Sequence, residues 1–213
     1  MTTGSYHHGN LRQALVEAAL ERLEREGVEK ITLRAIAAQV GVSHAAPYAH
    51  FRDKDALLAA VSAAGFGRLR QRLHASRDAA DSGRAALARM GCAYVAFARS
   101  HPALYSLMFR RTPEGRGRHD ELDQAAESAW RELHEVVAAT VPRAEARSAA
   151  VAAWALVHGL ASLLNERLVR LQPDDAAHRA RDEAALGMRD DGAALVEEVM
   201  HQFARRYAGT RRR

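Results

Sequence analysis

The segment that decides the fold runs from Thr32 to Leu58 and reads TLRAIAAQVGVSHAAPYAHFRDKDALL. Thr32 can cap a short helix, whose apolar residues recur at helical spacing until Gly41 supplies a left-handed end. Ser43 is a second capping residue, and it opens another short helix. Two short helices joined by a tight glycine turn predict a helix-turn-helix.

The second of these helices consists mostly of alanine and contains a proline. Pro47 lacks a backbone donor, but it lies so close to Ser43 that at most the first helical hydrogen bond is lost. Asp53 is predicted to cap a further helix that begins at Lys54. The segment therefore reads as three consecutive helical elements.

A helix that enters the major groove must present small or polar residues outward and phosphate-binding groups at its edges. His44 is the predicted base-reading residue, and alanine methyl groups can contact thymine methyl groups. Phe51 is predicted to lie in the core. The candidate DNA-binding residues are His44, Ala45, Ala46 and Ala49 for bases, Tyr48, His50 and Lys54 for phosphates, and Thr32 and Arg34 for further backbone contacts.

The rest of the 213-residue chain is also helical in character. Hydrophobic residues make up 48% of the sequence and aromatic residues only 6%, and few segments alternate with the period of a strand. Helical patterns lie near 55–75, 83–100, 102–111, 118–140, 144–171 and 192–208. The fold class is therefore predicted as all-α with about nine helices. Residues 1–60 would form a three-helix DNA-binding domain, and residues 61–213 a larger helical domain.

The net charge of +5 does not locate a DNA site by itself. Residues 1–60 hold seven basic and seven acidic residues, so this part is formally neutral. DNA binding would then depend on placed contacts rather than on bulk charge. Arg68, Arg70 and Arg72 are interpreted as a solvated helix face.

Three further observations predict a cytoplasmic location without a membrane span. The longest apolar stretches, such as Ala149 to Leu156, fall short of the ~20 residues that a span needs. The N-terminus MTTGSYHHGN carries no apolar signal region, and the single Cys92 has no partner for a disulfide.

Alternative classes of protein were weighed against DNA binding. No nucleophile and base set, phosphate loop or metal spacing stands out, and His134-Glu135 lacks the second histidine of a metalloprotease motif. No catalytic residue, metal or cofactor is therefore predicted. An architectural DNA-binding protein without sequence specificity is the main alternative, and an effector-free homodimeric interaction module is the third.

The opening segment resembles the DNA-binding domain of the TetR family of bacterial transcriptional regulators. The matching residues are Ile31 to Ala37, Gly41-Val42-Ser43 and Tyr48 to Leu57. Ala45-Ala46-Pro47 departs from the frequent Gly-Thr-Leu of the family, so a hydroxyl is missing at Ala46. The resemblance implies a homodimeric regulator, expected to be a repressor, that binds a palindromic operator in double-stranded DNA and leaves it when an unknown small, largely apolar effector binds.

A second resemblance covers the sequence from Trp154 to Gly159. Trp154-x-x-x-His158-Gly159 is similar to the Trp-His-Gly subgroup of ligand domains in the same family, and Gly159 would let another helix approach. The family resemblance implies that the last two long helices pair with their copies in a second subunit, through Leu156, Leu160, Leu163, Leu164, Leu195, Val199, Met200 and Phe203. Candidate residues of the effector pocket are Met90, Tyr94, Phe97, His101, Tyr105, Trp130, His134, Trp154 and His158.

Overall fold

The computed structural model describes residues 11–110, 119–166, 168 and 193–207, with the backbone alone at 193–195 and 207. These ranges hold eight α-helices and no strand. The helices are α1 (Leu11–Glu26), α2 (Leu33–Val40), α3 (Lys54–Asp78), α4 (Gly83–Ser100), α5 (Pro102–Phe109), α6 (Asp120–Thr140), α7 (Ala146–Asn165) and α8 (Ala193–Tyr207), with short 3₁₀ helices at Val28–Lys30 and Ala46–Ala49. The all-α prediction is confirmed.

The helix bounds agree closely with those predicted from periodicity, because most ends carry a local signal. Thr32 caps α2 by accepting the Ala35 N–H at 3.1 Å, and Gly41 ends it at φ 80° and ψ 29°. Asp53 accepts the Ala56 N–H at 2.8 Å at the start of α3. The side chain of Leu195, one of the predicted dimer residues, lies outside the described residues.

The chain forms two compact units, and each is interrupted in sequence. The first comprises residues 1–68 and 101–129, and the second residues 69–100 and 130–213. α5 and the first half of α6 thus belong to the same compact unit as the helix-turn-helix. The boundary predicted near residue 60 separates a DNA-binding domain from a larger helical domain by function. The compact units follow a different division, and the functional boundary stays a prediction.

The core of the first unit is built around α1. Its buried residues Leu15, Ala19 and Leu23 follow one another every four positions, so they form a single apolar face. Ile36 of α2 is fully buried, and Phe51 is 2% exposed. The prediction that Phe51 closes this core is confirmed.

α5 lies directly against α3 within the first unit. A Cβ added at Gly65 would lie 2.7 Å from the Met108 sulfur and 3.0 Å from Leu104 Cδ1, so only glycine permits this approach. Glu24 of α1 accepts the backbone N–H of Leu104 at 3.0 Å, which satisfies a donor in the first turn of α5. α5 is therefore fixed to α3 through its face and to α1 through its N-terminus.

α4 is the central helix of the second unit and contacts α7 and α8. A Cβ at Gly91 would lie 2.6 Å from the sulfur of Met200 and 2.9 Å from its Cγ, so α8 packs on a bare backbone. Asn165 Nδ2 donates to the carbonyl of Ala98 at 3.1 Å near the end of α7.

A buried carboxylate joins α3 to α6 in the same unit. Glu132 of α6 is 9% exposed and pairs with Arg77 at 3.0 Å, with His74 at 3.4 Å and with Arg70 at 3.6 Å. A buried charge is tolerated only where such partners surround it. The network therefore fixes the last turns of α3 against α6.

α7 corrects one expectation from the sequence. The helix Ala146–Asn165 has 20 residues and is long and apolar enough, by length and composition, to cross a membrane. An uninterrupted apolar stretch such as Ala149 to Leu156, on which the expectation was based, is too short. Only 28% of the apolar window of α7 is buried in the chain. Such a helix is weak evidence for a span, and its exposed face calls for another explanation.

Candidate nucleic-acid interface

The second helix of the predicted helix-turn-helix is a single 3₁₀ turn rather than an α-helix. The Ser43 carbonyl accepts the N–H of Ala46 at 3.0 Å, and the Pro47 carbonyl accepts that of His50 at 2.9 Å. The predicted Ser43 cap is wrong, because Ala45 holds the cap position and no side chain caps the turn. Pro47 explains the difference: without an N–H it cannot bond to Ser43 in the α-helical pattern, so that carbonyl pairs with Ala46.

The turn presents a thin surface to solvent. His44, Ala45 and Ala49 are exposed, Ala46 is half-buried, and Pro47 is buried beneath them. Methyl groups on this surface leave the backbone close to any molecule that lies against it. The arrangement preserves the small outward face that the sequence predicted for residues 44–49.

Two larger side chains flank this surface and remain available to a partner. Tyr48 is 60% exposed although its ring is large and apolar, and His50 is also exposed. Phe51, the next residue, is buried, and the Arg12 guanidinium lies 5.4 Å from the centre of its ring. The chain therefore turns one aromatic residue inward and holds its neighbours outward.

Lys54 is already engaged within the chain. Its Nζ donates to the carbonyl of Val28 at 2.9 Å, and that carbonyl also accepts the N–H of Ile31 at 3.2 Å. The ammonium thus ties the turn before α2 to the first residue of α3. An ammonium has three donors, so this bond leaves the predicted phosphate contact of Lys54 untested.

The two candidates at the start of α2 are exposed. Thr32 uses its oxygen to cap the helix, and the Arg34 side chain projects into solvent. Arg34 and Tyr48 come from different elements of the same unit. The placement of both is compatible with contacts to a DNA backbone, and their roles stay predictions.

The arginines of α3, by contrast, have partners inside the chain. Arg68 donates to Glu17 at 2.5 Å, and Arg70 pairs with Glu132. Arg72 lies 5.5 Å from the ring centre of Phe97 and donates to Ser100 Oγ at 3.4 Å. These contacts give the cluster a structural role on the helix surface, in place of the purely solvated face expected from sequence.

Five of the predicted pocket residues come together in the second unit. Trp130 and His134 lie on α6, Trp154 and His158 on α7, and Tyr94 on α4. The Trp130 and Trp154 ring centres are 6.3 Å apart at 80°, the Trp154 and His158 rings 5.4 Å apart, and the Trp130 and His134 rings 6.4 Å apart. The Tyr94 hydroxyl and His158 Nδ1 share a hydrogen bond of 3.1 Å. We call these five residues the aromatic row.

The other four pocket candidates do not join the aromatic row. Met90 and Phe97 are at most 1% exposed and belong to the core of the second unit. His101 and Tyr105 belong to the first unit, where His101 precedes α5 and the Tyr105 ring lies 5.0 Å from that of Phe109. Ordinary packing thus accounts for the burial of Met90, Phe97 and Tyr105.

The predicted dimer residues divide into two groups. Leu163 is 40% exposed, and the half-buried residues are Leu156, Leu160, Leu164, Val199 and Phe203. Met200 is only 1% exposed and packs on Gly91, so its side chain has no surface left for contact with a second subunit. Sequence reasoning missed Val151, which is 47% exposed on α7. Val151 lies four residues before Ala155, so the two share one face of α7, and this spacing could have indicated Val151 as a surface residue.

Comparisons with known proteins agree with this arrangement. A family model described as "Bacterial regulatory proteins, tetR family" matches residues 15–61, and one described as "Tetracyclin repressor-like, C-terminal domain" matches residues 87–187. The chain is 31% identical over 156 residues to an HTH-type transcriptional regulator of Mycobacterium tuberculosis, covering 71% of this chain and 69% of that protein.

Solved structures share the fold over nearly the whole chain. A protein from Rhodococcus sp. RHA1 is 31% identical with a TM-score of 0.72, covering 96% of this chain and 99% of that one. FadR from Bacillus subtilis, solved with stearoyl-CoA, is 15% identical with a TM-score of 0.61, covering 90% and 97%.

The family matches span both the helix-turn-helix and the larger helical part. Proteins of this family are transcription regulators rather than enzymes, and they combine a DNA-binding head with a ligand-binding C-terminal domain. The chain belongs to the TetR family and is a sequence-specific DNA-binding transcriptional regulator.

Proposed function

We propose that this regulator binds a palindromic operator as a homodimer and places the turn around residues 44–50 in the major groove. The observation that carries the proposal is the thin outward surface of His44, Ala45 and Ala49 beside the exposed Tyr48. Side chains this short allow the backbone to approach base edges, and Tyr48 is long enough to reach a phosphate at the rim of the groove.

Each candidate residue then has a defined role. His44 hydrogen-bonds to a base edge, while the methyl groups of Ala45, Ala46 and Ala49 contact thymine methyl groups. Tyr48 and His50 bind phosphates at one edge, and the start of α2 with Thr32 and Arg34 binds the backbone at the other. Lys54 reaches a phosphate with a donor that the Val28 carbonyl does not use.

The second subunit would pack on the exposed face of α7, together with α8. Within the part of the chain that the structure describes, no atom beyond the nearby backbone of α7 lies within 4 Å of the position of a Cβ at Gly159, so no contact there explains a glycine. Val151 and Leu163 are 47% and 40% exposed on the same helix. A partner helix that approaches at Gly159 would cover this apolar surface, so the exposed face of α7 does not require a membrane to cover it.

An effector would act by changing the separation of the two DNA-binding heads. Half-sites of a palindrome lie about 34–36 Å apart, so a small rigid-body shift uncouples the heads from the operator. The proposed effector is small and largely apolar, and it binds in the second unit. FadR from Bacillus subtilis, which shares the fold, was solved with stearoyl-CoA, a ligand with a long apolar chain and a charged coenzyme A part. A repressor of this kind works in the cytoplasm, where its operator is.

Selection of random duplex DNA by the purified protein tests this proposal. A palindromic winner that binds at least ~10³-fold more tightly than random DNA is expected from a specific dimer. Weak, salt-sensitive binding with no enriched sequence would support an architectural protein and refute the proposal. The formal neutrality of residues 1–60 argues against that alternative.

Three variants test the roles of individual residues on the selected operator. His44→Ala is expected to relax base preference at one position of each half-site, at about 1–3 kcal/mol of discrimination. Tyr48→Ala is expected to weaken binding to all sequences and to lower the salt dependence, whereas Tyr48→Phe separates the hydroxyl from the ring. Unchanged affinity of a folded, dimeric Tyr48→Ala would contradict the docking model.

A further inference from the structure

The aromatic row contains the same short motif twice. Trp130-x-x-x-His134 on α6 and Trp154-x-x-x-His158 on α7 each place a tryptophan and a histidine on one face of a helix. The two tryptophans meet edge to face, with ring centres 6.3 Å apart, and each histidine lies beside its own tryptophan at 5.4–6.4 Å. The result is a continuous run of four rings across two helices.

The run is anchored at one end and exposed along its middle. Tyr94 is 5% exposed, and its hydroxyl shares a 3.1 Å hydrogen bond with His158. Trp154 is 38% exposed, and Trp130, His134 and His158 are half-buried. Burial lowers the pKa of His158, which keeps that imidazole neutral near pH 7.

A tryptophan that stays partly in water loses part of the stabilisation that burial of its ring would give, since a buried indole removes about 150–250 Å² from solvent. A partner subunit does not account for the whole row, because Trp130 and His134 lie on α6, which is not one of the two proposed dimer helices. The outward face of α7 is centred on small residues such as Ala155 and Gly159, and Trp154 lies on its side toward α6. The exposed Trp154 and the half-buried rings beside it therefore form a surface next to the proposed dimer contact.

The chemistry of this surface selects a particular kind of ligand. Two indole planes at 80° form a corner, in which a flat ring can stack on one indole and meet the other edge to face. A flexible alkyl chain gains only the area that it buries. We propose that the aromatic row binds a planar aromatic molecule and is the part of the effector site that selects it. This inference rests on the proposed function, in that the bound molecule is taken to be the effector.

The chain offers a direct readout, because its two tryptophans are Trp130 and Trp154. All tryptophan fluorescence of the full-length protein therefore reports on the row. Two probes, 2-naphthol and its saturated analogue decahydro-2-naphthol, share the same fused ten-carbon skeleton and one hydroxyl, and the saturated one is neither planar nor aromatic. After correction for the absorption and emission of the probe itself, we expect 2-naphthol to change the tryptophan emission with a Kd about tenfold below that of decahydro-2-naphthol, the difference that one good aromatic contact supplies.

Variants separate the rings from general apolar binding. Trp154→Leu and Trp130→Leu are each expected to abolish the preference for 2-naphthol, with the remaining tryptophan as reporter, while Trp154→Phe keeps it. Phe109→Leu removes a ring in the first unit and is the matched control, with no expected change. Circular dichroism confirms that each variant is folded.

Several outcomes would overturn the inference. They are equal or tighter binding of decahydro-2-naphthol, an unaltered preference in folded Trp→Leu variants, and no change in emission with either probe. Because the titration contains no DNA, a protein that selects a palindromic operator and yet ignores 2-naphthol would retain the proposed function and lose this inference alone.

Discussion

The contact between α4 and α8 makes a sharp prediction about Gly91. An alanine there would bring its Cβ to 2.6 Å from the Met200 sulfur and 2.9 Å from its Cγ, and closer still to its terminal methyl. Real side chains do not approach so closely, so the whole Met200 side chain would have to turn away. Met200 is 1% exposed, and its surroundings leave little room for that movement.

The size of the effect follows from two opposing terms. Alanine in a helix interior stabilises it by about 1 kcal/mol relative to glycine, whereas an extra methyl group in a packed core costs about 1–3 kcal/mol. Gly67 on α3 is the matched control, because among the described residues a Cβ there meets nothing within 4 Å. Gly67→Ala should therefore raise the free energy of unfolding. The free energy of unfolding of Gly91→Ala should lie about 1–3 kcal/mol below that of Gly67→Ala.

Denaturant unfolding at one fixed protein concentration measures both variants, since the stability of the proposed dimer would depend on concentration. Met200→Ala alone should cost about 2–5 kcal/mol, and it should cost less when Gly91→Ala has already placed a methyl group in the gap. A coupling energy of at least about 1 kcal/mol is expected from this cycle. If Gly91→Ala proved as stable as Gly67→Ala, the close packing of α8 on α4 would be wrong.

Three further predictions concern DNA, assembly and pH. Lys54→Met should weaken operator binding and reduce the salt slope by about 1; an unchanged slope would mean that Lys54 acts only by holding the Val28 carbonyl. Gly159→Leu should keep the helical content and weaken dimerisation at least about tenfold in analytical ultracentrifugation, and an intact dimer would exclude close approach at this residue. Because the folded pKa of His158 lies below the ordinary value of 6.5, the unfolded chain binds the extra proton first. The melting temperature should therefore fall as pH drops from 6.5 through the folded pKa, and it should fall less in His158→Gln; equal losses in both proteins would contradict this assignment.

Helix positions could be predicted from sequence because their signals are local. Thr32, Gly41 and Asp53 act on backbone groups within a few residues, and the structure confirms the position of each. The turn at 46–49 could not be derived so simply. The sequence indicates that Pro47 cannot donate one helical hydrogen bond. It does not indicate that this missing bond makes the turn 3₁₀ rather than α-helical and places Ala45, instead of Ser43, at the cap position.

Contacts between distant residues were out of reach of the same reasoning. The bond from Lys54 to Val28 spans 26 positions and that from Leu104 to Glu24 spans 80, and no local pattern encodes either. The aromatic row is an intermediate case. The spacing of Trp154 and His158 is visible in the sequence, but the matching motif at Trp130 becomes meaningful only when α6 lies beside α7.

The capping of α5 by Glu24 bears on how regulators of this kind can be recombined. A chimera that joins a foreign DNA-binding head at residue 60 would keep α5 but lose the α1 carboxylate that holds its first turn. Residues 101–129 belong to the same compact unit as the head, so they should be transplanted with it. The exchangeable module is therefore discontinuous in sequence, and Gly65 and Met108 must come from the same parent.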